Sequence, residues 1–140
     1  MKKIVFVCLG NICRSPMAEF VMKSLTDQLK IESRATSSWE HGNPIHRRTQ
    51  AIFKKYDIAY DRNKTSQQIS AADFADFDYV IGMDESNVRD LKRMAPEDFQ
   101  HKIYQFEEES VPDPWYTGDF DQTYDLVLAG CKKWLERLDG

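Results

Sequence analysis

Cys8 and Arg14, with five residues between them and Ser15 directly after, are the pair in this 140-residue chain whose types and spacing can do chemistry. They lie in the run I-V-F-V-C-L-G-N-I-C-R-S-P-M, from Ile4 to Met17. A thiol is a nucleophile as its thiolate, and thiolates are favoured at helix N-termini and beside cations. A guanidinium presents a planar fork of donors that grips two phosphate oxygens at once, which an ammonium cannot do. A tight loop leading from a strand into a helix turns several backbone N–H groups inward and makes an anion site. A phosphate held in such a loop has Cys8 beneath it for in-line attack on phosphorus. The amides and Arg14 then stabilise the charge that spreads over its oxygens, and this chemistry requires no metal.

The elements that must hold these residues can be read from their neighbours. Ile4 to Val7 suits a short strand buried on both faces, within a strand from Lys2 to Cys8. Gly10 and Asn11 tolerate backbone conformations that other residues avoid, so the chain can turn sharply. Pro16 fits the first helical position, and the helix is expected to run to about Lys30. Its apolar stripe is Ala18, Val21, Leu25 and Leu29, widened by Met17 and Phe20. Ser15 stands one residue too far from Glu19 for a capping box, which leaves its hydroxyl either to face the loop or to act as an ordinary cap. Plainer readings exist for single residues: a buried strand-end cysteine for Cys8, a surface charge for Arg14, a left-handed turn for Asn11. The combination favours nucleophile and phosphate clamp.

Composition bounds the rest. A length of 140 residues fits one domain, expected to span residues 1–140, with its own core. Charged residues make up 30% and the net charge is −4, so the short basic pairs Arg47–Arg48 and Lys54–Lys55 read as a solvated helix face rather than a nucleic-acid surface. No membrane-length apolar segment occurs, and the apolar run after Lys2–Lys3 is too short for a secretory signal, so the expected location is cytoplasmic. Three cysteines, Cys8, Cys13 and Cys131, do not make a disulfide framework, and the three histidines stand in no metal-ligand spacing. Neither metal nor cofactor is expected.

Further along, Ile31–Ser38 reads as a second strand, Ile45–Tyr56 as a helix and Asp57–Gln68 as a loop. A short helix over Ala71–Phe77 and a strand over Tyr79–Met83 follow, then a helix N-capped by Asp84. Lys102–Phe106 reads as the last strand, Glu107–Gly118 as an acidic loop and Asp119–Leu138 as the final helix. Cys131 sits in that helix's apolar stripe and reads as core. Strands alternating with helices imply a parallel sheet covered on both faces, with the ligand beyond the carboxyl ends of the strands.

C-L-G-N-I-C-R-S-P resembles the active-site signature of the low-molecular-weight protein tyrosine phosphatases: Cys, five residues, Arg, then Ser or Thr, with G-N-x-C inside and Pro following. Trp39 after S-R-A-T-S-S, M-D-E-S-N at Met83–Asn87 and D-P-W-Y at Asp113–Tyr116 resemble further landmarks of that family, in the expected order. The resemblance covers essentially the whole chain. It implies a single three-layer α/β domain with a four-stranded parallel sheet flanked by helices, of flavodoxin-like topology. It also implies metal-independent hydrolysis of phosphotyrosine in proteins through a cysteinyl-phosphate intermediate. The implied catalytic residues are Cys8, Arg14 and Asp113, and the implied phosphate cradle is Leu9, Gly10, Asn11, Ile12, Cys13, Arg14 and Ser15. Spacing alone cannot single out Asp113 among 23 acidic residues, and Asp113-Pro114 by itself reads as a turn. Negative charge nearby favours a protonated carboxyl, which suits a proton donor.

Trp39, Trp115 and Tyr116 are implied as aromatic walls that would grip a phenyl phosphate and exclude shorter phosphoserine. Cys13 is implied as the partner that forms a disulfide with an oxidised Cys8, or else it packs the loop. Ser33 and Asp84 match positions that support the loop. Trp115 stands where many relatives carry the first of two tyrosines. Asp61–Gln68 lacks the histidine that relatives often use to brace the active-site Asn, so that either Lys64 or another residue does that work differently or nothing does. Partners implied are phosphotyrosine proteins, with phosphate or other oxyanions in the site; nucleic acid and membrane are not implied. The alternatives are a protein-phosphoarginine phosphatase, whose known examples carry Thr where Ile12 stands, a thiol-based arsenate reductase, which needs further downstream cysteines, and a phosphate-binding module without catalysis.

Overall fold

The computed structural model of the chain describes residues 1–138. Four parallel strands form one sheet: β1 (Lys3–Cys8), β2 (Lys30–Ala35), β3 (Tyr79–Gly82) and β4 (Ile103–Gln105), in the order β2-β1-β3-β4. β1 is central, pairing Lys3 with Lys30 through Cys8 with Ala35 on one side and Ile4 with Tyr79 through Val7 with Gly82 on the other. Its alternate residues supply two cores. Ile4, Phe6 and Cys8 face α1 (Arg14–Leu25), α2 (Arg47–Lys55) and α6 (Phe120–Leu138), meeting Met17, Phe53, Val127 and Trp134. Val5 and Val7 face α3 (Ala71–Asp76) and α4 (Glu85–Met94), meeting Phe74 and Leu91. The expected three-layer arrangement is the one observed. Among the described residues no helix is long and apolar enough to cross a membrane.

Several boundaries differ from the sequence reading, each for a local reason. Helix α1 begins at Arg14 rather than Pro16, so the proline is its third residue; an N–H is dispensable throughout the first turn. The helix stops at Leu25 rather than Lys30 because Thr26 is extended and its hydroxyl takes the Gln28 N–H, while the Lys30 N–H joins the carbonyl of Lys2 to open β2. β2 ends at Ala35 and β4 covers only Ile103–Gln105. The loop expected over Glu107–Gly118 contains one helical turn, α5 (Pro114–Thr117), capped by Asp113 at one end and by left-handed Gly118 (φ 72°) at the other. The sheet order brings all four carboxyl ends to one edge. Cys8 ends β1, Trp39 follows β2, Asp84 follows β3 and Asp113 follows β4, with the switch in direction between β1 and β3.

Gly130 sets the approach of α6 to the sheet. A Cβ there would lie 2.3 Å from Phe106 Cε2, and that ring is held edge-on by Phe6 at 5.8 Å. The Phe106 carbonyl also accepts the Trp134 indole N–H at 2.7 Å, so the ring's backbone cannot easily retreat. Ala at position 130 gains about 1 kcal/mol of helix propensity but overpacks at a cost of roughly 1–3 kcal/mol or more, given so deep an overlap. Gly130→Ala is therefore expected to lower stability, seen as a lower urea midpoint; an unchanged or raised midpoint contradicts this packing.

Candidate active site

The loop from Cys8 to Arg14 is shaped from outside. Its carbonyls are claimed by neighbours: Cys8 O by Thr36 N–H (2.9 Å), Leu9 O by the Ser37 hydroxyl (2.8 Å), Gly10 O by the Ser66 hydroxyl (2.7 Å) and Ile12 O by His46 N–H (2.9 Å). In a trans peptide the N–H points opposite to the C=O, so the following amides turn toward the hollow. The Asn11 N–H donates to Cys8 Sγ at 3.3 Å. Asn11 takes the left-handed conformation (φ 57°) that a short amide side chain tolerates. Gly10, expected to share that freedom, has no positive φ. It matters as space, since a Cβ there would lie 3.3 Å from Glu40 Cγ.

Beneath the loop runs a buried chain of hydrogen bonds. Asn11 Nδ2 donates to Ser15 Oγ (2.8 Å) and to Ser33 Oγ (3.0 Å), and its carbonyl oxygen accepts from Gln67 N–H (3.2 Å). The Ser33 hydroxyl donates to Glu19 Oε1 at 2.6 Å. Lys64 Nζ donates to the Ser33 carbonyl at 2.8 Å and lies 3.9 Å from Glu19. Burial holds the Lys64 pKa below the usual range, with Glu19 opposing that shift. Glu19 is thus linked to Asn11 through the Ser33 hydroxyl, and Lys64 holds the Ser33 carbonyl beside them. Ser15 is not the helix cap, and its Oγ lies 3.1 Å from Cys8 Sγ and 3.3 Å from the Arg34 carbonyl. Its single proton can go to either.

Arg14 is almost wholly buried, at 3% exposure. Nη1 donates to Asp84 (2.6 Å) and to the Val111 carbonyl (3.0 Å), and Nη2 reaches Asp113 at 3.3 Å. Burial works against its charge, but Cys8, Asp113 and Asp84 outweigh it and raise the pKa. Asp84 is itself locked by a reciprocal capping box with Asn87 at the head of α4. Asp113 caps α5 through the Trp115 N–H at 3.0 Å.

One crevice is lined by Cys8, Leu9, Gly10, Ile12, Cys13 and Arg14 at its base and by Trp39, Glu40, Asp113, Trp115 and Tyr116 around its mouth. Among the residues anticipated at the phosphate, Asn11 and Ser15 keep their side chains buried behind the loop, where they brace it, while the Asn11 N–H faces Cys8 Sγ. Cys13 is a free thiol with its pKa pushed up to about 12 by burial and then by Cys8 and Asp113. Cys131 lies fully buried in α6, as expected. Among the described residues no cluster of His, Cys, Asp and Glu could hold a metal. Glu19, Glu40 and His46 escaped the sequence reading. Only Glu19 left a trace there, as a carboxylate set inside the apolar run Met17–Val21.

A model of the family described as low molecular weight phosphotyrosine protein phosphatase matches residues 3–140. The chain is 45% identical to the low molecular weight protein-tyrosine-phosphatase PtpA of Staphylococcus aureus, over 94% of this chain and 90% of that protein. It superposes with TM-score 0.97 on the crystal structure of SP-PTP, a low molecular weight protein tyrosine phosphatase from Streptococcus pyogenes, at 62% identity over 99% of this chain and 93% of that one. A Drosophila arginine phosphatase, DARP, is similar at TM-score 0.89 and 32% identity, over 100% of this chain and 99% of that one. With its signature loop, sheet order and near-complete coverage in agreement, the chain belongs to the low molecular weight phosphotyrosine protein phosphatase family.

Proposed function

We propose that the protein hydrolyses phosphotyrosine in proteins in two steps, with Cys8 as nucleophile, Arg14 as phosphate clamp and Asp113 as acid and then base. The observation that carries this reading is the convergence of Cys8, Arg14 and Asp113 on one crevice walled by aromatic side chains. In the first step Cys8 Sγ bonds to phosphorus as the phosphorus–phenol oxygen bond breaks, and Asp113 gives that oxygen its proton. In the second, water attacks phosphorus, Asp113 takes a proton from it, and the phosphorus–sulfur bond breaks to return Cys8. The Ser15 hydroxyl, 3.1 Å from Cys8, can donate to the departing sulfur. Inward amides and Arg14 stabilise the equatorial oxygens in both steps.

The rim supports an aryl substrate. Trp39, Trp115 and Tyr116 are 77%, 57% and 78% exposed, so their faces remain in water until a ring covers them. Ile12 adds an apolar surface to the crevice. In a panel of phosphotyrosine, phosphoarginine, phosphoserine and arsenate under reducing conditions, phosphotyrosine should be turned over fastest. A preference for phosphoarginine or reduction of arsenate would overturn the substrate assignment.

Hydrolysis of p-nitrophenyl phosphate should persist in EDTA. Cys8→Ser should lower turnover by at least about a thousandfold, and Asp113→Ala should lower phosphotyrosine turnover on the order of a hundredfold or more. Wild-type turnover in Cys8→Ser would end the assignment. Glu19→Gln keeps the shape of the buried chain but removes the charge facing Lys64, and is expected to lower kcat about tenfold with a smaller change in KM. An unaltered kcat would show that the chain of bonds behind Asn11 does not position the loop.

A further inference from the structure

Helix α5 is four residues long, too short to hold its own position, yet it carries Asp113 at its head. The segment before Asp113 is anchored by the Val111 N–H on the Met83 carbonyl and by Arg14 on the Val111 carbonyl. The segment after it is held by the start of α2. Arg48 Nη2 donates to the Gly118 carbonyl at 2.7 Å, and its guanidinium lies 4.4 Å from the Phe120 ring centre. The His46 ring stacks on Phe120 (5.2 Å, 24°) and meets Trp115 edge-on (5.7 Å, 84°). Through its backbone N–H, His46 also holds the Ile12 carbonyl of the phosphate loop at 2.9 Å.

We propose that His46 and Arg48 are positioning residues that fix the loop bearing Asp113 against the loop bearing Cys8, so that the carboxyl stays aimed at the leaving oxygen. The inference rests on the reading of Asp113 as proton donor. Arg14 Nη2 helps to hold Asp113. A phosphate that takes Nη2 removes that restraint at the moment when the carboxyl's position matters. The Trp115 N–H is part of the same short turn and moves with it, so the fixed reference must come from outside, which is what α2 supplies. His46 is itself rigid. Its Nδ1 accepts the Arg48 N–H at 3.1 Å, which assigns the neutral tautomer with its proton on Nε2. Burial, with the charges of Arg47 and Arg48, holds the His46 pKa below the usual imidazole range against the pull of Glu40. The alternative role, a plain helix cap, explains the Nδ1 bond but not the two aromatic contacts or the Arg48–Gly118 bond.

The test is the dependence of kcat/KM on leaving-group basicity across a series of aryl phosphates, from p-nitrophenyl phosphate to phosphotyrosine. Nitrophenolate is the weaker base and departs with less help from an acid. Asp113→Asn should steepen that dependence and sets the limiting slope. His46→Asn keeps a capping oxygen and removes the ring; Arg48→Met keeps an apolar stem and removes the Gly118 bond. Each should lower kcat/KM for phosphotyrosine about tenfold and for p-nitrophenyl phosphate no more than about twofold. His46→Phe, which retains a ring, should keep the shallow slope. In the Asp113→Asn background neither His46→Asn nor Arg48→Met should steepen the slope further.

Equal losses across the series, or added steepening without the Asp113 carboxyl, would reduce both residues to structural parts and overturn the proposal. A steep Asp113→Asn slope with unchanged slopes in the His46 and Arg48 variants would sink the proposal while leaving Asp113 as acid. An unchanged slope in Asp113→Asn would remove the acid assignment and this inference with it. Because the readout is a ratio between substrates, partial loss of folded protein does not affect it.

Discussion

A guanidinium taken out of water must find its acceptors in the protein, and the site is arranged around that requirement. Arg14 leans on Asp84, Asp113 and one backbone carbonyl, and these partners follow strands β3 and β4 while Arg14 itself follows β1. Leaving such a charge unpaired costs about 3–5 kcal/mol. The pairing therefore ties three separate loops together before any substrate arrives. Asp84 is the fixed member, because the capping box at α4 leaves it little freedom, and Asp113 is the movable one, on a single turn of helix. One cation is thereby prevented from drifting, and on the proposed function it is the face toward Asp113 that an incoming oxyanion would claim.

The second requirement is that the amides of the phosphate loop stay turned inward when nothing occupies it. That is achieved from behind and from the sides, by hydroxyls and amides of Thr36, Ser37, Ser66 and His46 on the loop's carbonyls. Asn11 links the loop to a buried Glu19 and Lys64 through Ser33. Most of these partners lie far from Cys8 along the chain. The shaping of the loop around Cys8 is thus distributed over the loops that follow β2 and α2.

This distribution explains what could be read from the sequence. The strand, the C-x₅-R loop and the following helix are contiguous, so residue type and spacing sufficed to single out Cys8 and Arg14 and the turn at Asn11. The alternating layers followed from periodicity, because β1 buries both faces and α6 carries a long stripe. Asp113 and the aromatic rim were accessible only through family resemblance, since nothing in D-P-W-Y tells a proton donor from a turn. Glu19 and His46 could not be assigned from sequence, and Lys64 only as one candidate among others, for a different reason. Each acts through partners 14, 31 or more than 70 residues away, and one-dimensional spacing carries no sign of that. The one-turn helix α5 was legible in retrospect, as Asp cap, Pro at the first position and Gly at the end, but it is too short for any periodic signal.

The three bare aromatic faces at the mouth of the crevice carry one more implication. On the proposed function a tyrosyl ester would press its ring against them, whereas the inorganic ion left after the second step has no ring to offer. Under that reading, reactant and end product would share the ionic grip at the base and differ in everything the rim contributes. On the proposed function the architecture would hold the molecule to be cleaved more firmly than the residue of cleavage, so a site that seizes an oxyanion would still be able to empty itself.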